Sequence, residues 1–109
     1  LEEKIVSRRV KVASTTDLEP GKCVTVTADG KNIALFNVEG SFYALDSDCP
    51  HMGGPLGMGF LDGDTVMCPL HGWMFSVKTG ESPTMPGLRT GCYDCEVDGE
   101  DVFVHLLPE

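Results

Sequence analysis

Polar and apolar residues alternate along short stretches of this chain, and each stretch ends in a turn signal. Arg9-Val10-Lys11-Val12-Ala13 alternates, and Lys22 to Thr27 alternates again with β-branched residues. Asn32 to Val38, Ser41 to Asp46, Arg89 to Val97 and Asp101 to Leu107 follow as further candidate strands. A period of two is that of strands with one buried face. The connections are Thr15 to Gly21, Ala28-Asp29-Gly30-Lys31, Glu39-Gly40 and Asp98-Gly99. Asp-Gly and Glu-Gly between such runs favour antiparallel hairpins. No segment presents a long apolar face at a period of 3.6, so helix content is expected to be low. The pattern predicts an all-β fold: a small antiparallel β-sandwich or barrel, one domain over residues 1–109. A segment of about 47 to 88 is inserted into it, and there Asp64 to Cys68 and Trp73 to Val77 read as two short strands.

The insertion carries the chemistry. Cys49-Pro50-His51 and Cys68-Pro69-Leu70-His71 each supply one thiol and one imidazole, with sixteen residues between His51 and Cys68. Zinc and a [2Fe–2S] cluster both accept two sulfur and two nitrogen ligands. Structural zinc sites usually pair like with like, with two Cys close together and then two His. Here each loop carries one of each, and Cys-x-His is tighter than the zinc spacing. Where two Cys bind one iron and two His the other, each loop must reach both irons, and mixed pairs allow this. Four unrelated core residues are a third alternative, and the Gly and Pro around them weigh against it. Met52-Gly53-Gly54-Pro55-Leu56-Gly57 follows His51, and Gly72-Trp73 follows His71. Glycines let the backbone approach closely, so that its N–H groups can donate to ligand sulfur.

The whole pattern, C-P-H-x16-C-P-L-H-G-W, resembles the Rieske [2Fe–2S] family, and the resemblance extends over roughly residues 9 to 107. It implies a single [2Fe–2S] cluster, with Cys49 and Cys68 on the inner iron and His51 and His71 on the outer one, which takes the electron. It also implies that Met52, Gly53, Gly54, Leu70, Gly72, Trp73 and Phe75 surround the cluster. Glu81 to Gly87 resembles the loop that covers it, with Pro83 and Pro86; an ordinary surface connection is the alternative.

Departures from the respiratory-type pattern refine the expectation. That type has two further Cys forming a disulfide between the ligand loops; Gly54 and Leu70 stand at the corresponding positions. It also has a Ser and a Tyr that donate to sulfur, where this chain has Trp73 and Phe75. Hydrogen bonds to sulfur favour the more negative reduced state, so their loss lowers the potential. The expected value lies toward the bottom of the range of about −150 to +300 mV for such centres. This suits a ferredoxin that passes electrons from a flavin- or NAD(P)H-linked reductase to a terminal oxygenase. The chain also resembles the small subunit of assimilatory nitrite reductases, which would partner a large subunit, and a zinc-binding interaction module is a third reading. An oxygenase α subunit adds a mononuclear iron domain that 109 residues cannot hold, so no turnover of an organic substrate is expected.

Composition narrows the setting. With 17 acidic and 8 basic residues the formal charge is −9, which argues against nucleic acid. It suits either a soluble, self-repelling surface or a carrier steered onto basic partners. No apolar run approaches the roughly 20 residues of a membrane span, and no signal segment is evident. Leu1 is not a start methionine, which leaves an upstream segment open. Of five Cys, Cys23, Cys92 and Cys95 lie outside the ligand pattern. Cys92-Tyr93-Asp94-Cys95 is formally a CxxC, but it is read here as strand, with Cys95 inward and Cys92 outward. A redox CxxC belongs at a helix N-terminus. Cys23 reads as a small buried hydrophobe, and His105 as structural. No disulfide framework is implied, which suits the cytoplasm, and an electron shuttle is expected to be a monomer.

Overall fold

A computed structural model describes residues 8–47, 55–69 and 72–106. Cys49, His51, Met52, Gly53, Gly54, Leu70 and His71 lie outside the described residues. The strands are β1 (Arg8–Ser14), β2 (Cys23–Ala28), β3 (Lys31–Val38), β4 (Ser41–Asp46), β5 (Phe60–Asp62), β6 (Thr65–Met67), β7 (Met74–Ser76), β8 (Cys92–Tyr93), β9 (Cys95–Asp98) and β10 (Asp101–Leu106). They form three antiparallel sheets, ordered β1-β10-β9, β2-β3-β4-β8 and β5-β6-β7. Among the described residues only two single-turn 3₁₀ segments, Thr15–Asp17 and Leu56–Met58, are helical.

The β2-β3-β4-β8 sheet is covered on both faces. Ala34, Phe36 and Leu45 pack with Leu56, Val66, Cys68, Phe75 and Val77 from the inserted segment. Ile33, Leu35 and Ala44 pack the other way, onto Val102, Val104 and Leu106 of β10. That is why Ile33-Ala34-Leu35-Phe36 is a continuous apolar run: each residue is fully buried, on alternating sides. Tight hairpins join β2 to β3 and β3 to β4, with Asp29-Gly30 and Glu39-Gly40 at positive φ, as two-residue hairpin turns require. Both had been marked by sequence alone.

Two elements differ from the sequence reading. Arg89 to Val97 is not one strand. Its β8 part pairs with β4, and its β9 part pairs with β10 in a different sheet. The chain changes sheet at Asp94, whose carbonyl accepts the His105 N–H at 2.9 Å. Long-range contacts make the break: Tyr93 Oη donates to Asp46, and Gly91 lies so close that a Cβ there would sit 2.2 Å from Asp46 Oδ2. Burial, then that bond, raise the Tyr93 pKa. Cys92 and Cys95 therefore belong to different sheets. Cys92 is exposed and Cys95 half-buried, the expected polarity. Burial pushes the Cys95 thiol up to about 12, the reverse of a reactive CxxC. The second difference is β5, three residues too short to show a period.

The β1-β10-β9 sheet carries an outward charged network. Arg9 lies over the Phe103 ring at 3.9 Å and pairs with Glu96 at 2.7 Å and Asp98 at 3.5 Å. His105 Nε2 meets the other Glu96 oxygen at 2.9 Å, which supports the structural role expected of it. The His105 contact, then Arg9, hold the Glu96 carboxyl below its ordinary range. A carboxylate with a lowered folded pKa stabilises the fold above its unfolded pKa, and that contribution is lost as pH falls through the folded value. The group is exposed, so the effect is small. Glu96→Gln is expected to melt slightly below wild type at neutral pH. The gap should close as pH falls below the ordinary carboxylate range, and a gap independent of pH would contradict the pairing.

Candidate metal centre

Cys68 lies one residue beyond β6 and is 2% exposed. Its neighbours in the core are Leu56, Val66, Phe75 and Val77, with Trp73 and Leu88 packed at the edge. The β6–β7 ladder pairs Val66 with Phe75 and Met67 with Met74, and the Cys68 N–H continues it by donating to the Trp73 carbonyl at 2.7 Å. The Gly72 N–H returns to the Cys68 carbonyl at 3.1 Å, with Gly72 at a φ of 72°. These bonds close the segment from Cys68 to Trp73, within which His71 falls. Cys68 is one of four free cysteines among the described residues.

The segment that carries Cys49 and His51 is bounded by backbone bonds on either side. The Ser47 N–H donates to the Asn32 carbonyl at 3.0 Å, and the Ser47 carbonyl accepts the Leu56 N–H at 2.6 Å. Residues 48–54, with Cys49 and His51, run between these anchors. The two closures are neighbours. Gly59 packs against the Met67 carbonyl, which a Cβ at 59 would approach to 2.2 Å, and the next residue, Phe60, pairs with Met67. The exit of one segment thus abuts the entrance of the other.

The third loop, Glu81 to Arg89, is pinched by a bridge between those two residues. Buried Ser82 organises it: its N–H donates to the Leu88 carbonyl at 2.9 Å, and its Oγ accepts the Met85 N–H at 3.2 Å. Pro83 and Pro86 are exposed on this loop, whose Leu88 rests on the same core as Cys68.

Cys68, Gly72, Trp73, Phe75, Pro83 and Pro86 thus have described positions; the rest of the expected set does not. Among the described residues no three ligating side chains converge, since only Cys68 of the four expected ligands is among them. What is described fits an iron–sulfur group: a thiol without a disulfide partner, 2% exposed within an apolar core cluster, where few solvent dipoles compete with ligand bonds. Sequence reasoning missed Ser47, Leu56 and Ser82, whose tertiary partners have no local signature.

Residues 8–103 match the family described as "Rieske [2Fe-2S] domain". The chain belongs to the Rieske [2Fe–2S] family. Its cofactor is a Rieske-type [2Fe–2S] cluster, and it is an electron-transfer protein rather than a catalyst. It is 36% identical over 96 residues to the biphenyl dioxygenase ferredoxin subunit of Pseudomonas sp. (strain KKS102), covering 86% of this chain and 88% of that one. It is also 36% identical over 93 residues to the ferredoxin component of the naphthalene 1,2-dioxygenase system of Pseudomonas aeruginosa, covering 83% and 88%. Among solved structures, the ferredoxin of carbazole 1,9a-dioxygenase from Nocardioides aromaticivorans IC177 superposes with a TM-score of 0.85 at 32% identity, over 92% of this chain and 99% of that one. A Mycobacterium tuberculosis protein described as an NADH-dependent nitrite reductase small subunit reaches a TM-score of 0.89 at 22% identity, covering 95% and 99%, a likeness of fold.

Proposed function

We propose that this chain is the ferredoxin component of an oxygenase system, receiving electrons singly from a flavin- or NAD(P)H-linked reductase and delivering them to a terminal oxygenase. One observation carries this reading: the match to dioxygenase ferredoxin components covers 83–88% of both chains at 36% identity. A carbazole 1,9a-dioxygenase terminal oxygenase, by contrast, is matched over only 31% of its length. A related ferredoxin, 33% identical, has been solved in complex with its oxygenase, which supports such a partner. The nitrite reductase small subunit shares the backbone at lower identity and ranks second.

In this reading residues 1–109 form one domain, with about 47–88 as the cluster-binding insertion. Cys49 and Cys68 hold the inner iron, and His51 and His71 the outer one. When bound, the cluster takes up and releases one electron. The residues do the rest. Cys68 holds its thiolate in an apolar niche walled by Phe75, Val66 and Leu56. Trp73 and Phe75 offer no hydroxyl to ligand sulfur, which favours a low potential. Met52, Gly53, Gly54, Leu70 and Gly72 line the ligand loops, and Pro83 and Pro86 stiffen the covering loop. The carrier works as a monomer in the cytoplasm, and no helix among the described residues is long and apolar enough to cross a membrane.

Beside Cys68 the surface is apolar. Phe60 is 66% and Met58 72% exposed, and Phe60 stands opposite half-exposed Met67. An exposed aromatic among methionines is unusual unless something covers it. We assign this patch to the oxygenase, whose contact face would be apolar with a basic rim to complement a chain of −9. Phe60→Ser is expected to weaken functional docking by about tenfold, as for a moderate interface anchor, with the visible spectrum unchanged. The test follows reductase-driven turnover of a dioxygenase terminal component against ferredoxin concentration. Turnover with wild type, and a raised half-saturating concentration with Phe60→Ser, supports the reading. Failure with every oxygenase, together with copurification on a large sirohaem-containing partner, would promote the nitrite reductase reading.

A further inference from the structure

Two hydroxyls meet just beyond the end of β4. Ser47 Oγ lies 3.0 Å from Thr25 Oγ1 on β2, and Ser47 is 1% exposed. Thr25 stands opposite Ala34, and Ala34 opposite Leu45, so all three side chains share the face that packs on the insertion. A third segment closes the contact: Gly57 is buried against Thr25, and a Cβ there would sit 2.1 Å from Thr25 Oγ1. The end of β4, the middle of β2 and the Leu56–Met58 turn therefore converge on one hydroxyl pair. Ser47 already carries the backbone bonds that enter and close the loop, through Asn32 and Leu56. Its side chain adds the only sideways tie among these, across β3 to β2.

We propose that Thr25 and Ser47 are positioning residues for the cluster, a hydroxyl clamp that fixes the first ligand loop against β2 and so sets the approach of Cys49 and His51. The proposal rests on the assignment of those two residues as ligands. Cys49 follows Ser47 by two residues and His51 by four, so any drift at the anchor passes into the loop with little chain to absorb it. Outer contacts of this kind orient ligands and tune a metal group. A buried hydroxyl must also be paired, which makes the clamp an all-or-none contact.

Three variants separate positioning from mere stability. Thr25→Val keeps the shape and removes one hydroxyl, leaving that of Ser47 unpaired. Thr25→Ser restores a hydroxyl. Thr25→Val with Ser47→Ala removes both, and deleting both partners of a part-buried bond can be nearly neutral for stability. The readouts, on holoprotein, are the melting temperature, the EPR line shape after reduction, and the rate of iron loss to a chelator. Thr25→Val is expected to lose iron about fivefold faster than wild type, the scale of one lost hydrogen bond, with broadened EPR features; Thr25→Ser should stay close to wild type. The decisive case is the double variant. Recovery of its melting temperature with iron loss still fast and the line shape still broad supports positioning. If iron loss and line shape recover along with melting, or never change in any variant, the clamp is only structural and the proposal is overturned. A wild-type protein without a Rieske signal overturns instead the ligand assignment beneath it.

Discussion

Cys68→Ala is expected to yield a colourless protein with an intact β-sheet spectrum and almost no iron. The thiol is 2% exposed within an apolar core cluster, and the closures from Cys68 to Trp73 and from Ser47 to Leu56 are made by backbone groups that the substitution leaves in place. Deleting one sulfur from such a core costs about 1 kcal/mol in lost packing, too little to unfold a domain with two further sheets. If Cys68 is one of four ligands, as proposed, its removal leaves the cluster one thiolate short and the cluster is lost. The closest rival is Cys23, which packs on the same core and whose Sγ reaches the Gly59 carbonyl at 3.5 Å. Cys23 has no His within three residues of it in the sequence, unlike Cys49 and Cys68. Cys23→Ala should therefore keep full iron. Metal analysis and visible spectra of both variants decide the point. Iron retained in Cys68→Ala, or lost in Cys23→Ala, would overturn the assignment.

Phe75→Tyr is expected to raise the reduction potential. Phe75 is fully buried, opposite Val66 in the β6–β7 ladder, and shares its core cluster with Cys68. A hydroxyl added at the ring edge donates to ligand sulfur if the ring points along the strand toward Cys68. That bond is stronger in the reduced, more negative state. A differential of about 1 kcal/mol between redox states corresponds to roughly 40 mV for one electron. If the hydroxyl finds no partner, the buried donor costs about 1–3 kcal/mol of stability and the potential stays put. Redox titration and thermal melting of the same samples separate the two results: a higher potential with little loss of melting temperature supports the geometry, and the reverse contradicts it.

The proposed ligand set could be read from the sequence because its signal is local. A Cys and a His one or two residues apart, twice, with Gly and Pro around them, need no knowledge of the fold. Alternation and turn pairs disclosed β1 to β4 and β10 for the same reason, with Ser41–Asp46 matching to the residue. Tertiary pairing stayed hidden. The split at Asp94 depends on Asp46, which holds Tyr93 in one sheet, and on β10, which draws Cys95 into another. β5 has only three residues and is a strand because Phe60 meets Met67. Thr25 and Ser47 are 22 residues apart, and nothing in either neighbourhood announces the other. The expectation that Cys95 faces inward held, although the chain had already left the sheet on which that expectation rested.

Mixed histidine and cysteine ligation of a [2Fe–2S] cluster by Cys49, His51, Cys68 and His71 is tested most directly by EPR of anaerobically purified, dithionite-reduced protein. A rhombic signal with the low average g-value of mixed ligation is expected, abolished in Cys68→Ala and retained in Cys23→Ala. An EPR-silent protein containing zinc and no iron would contradict it.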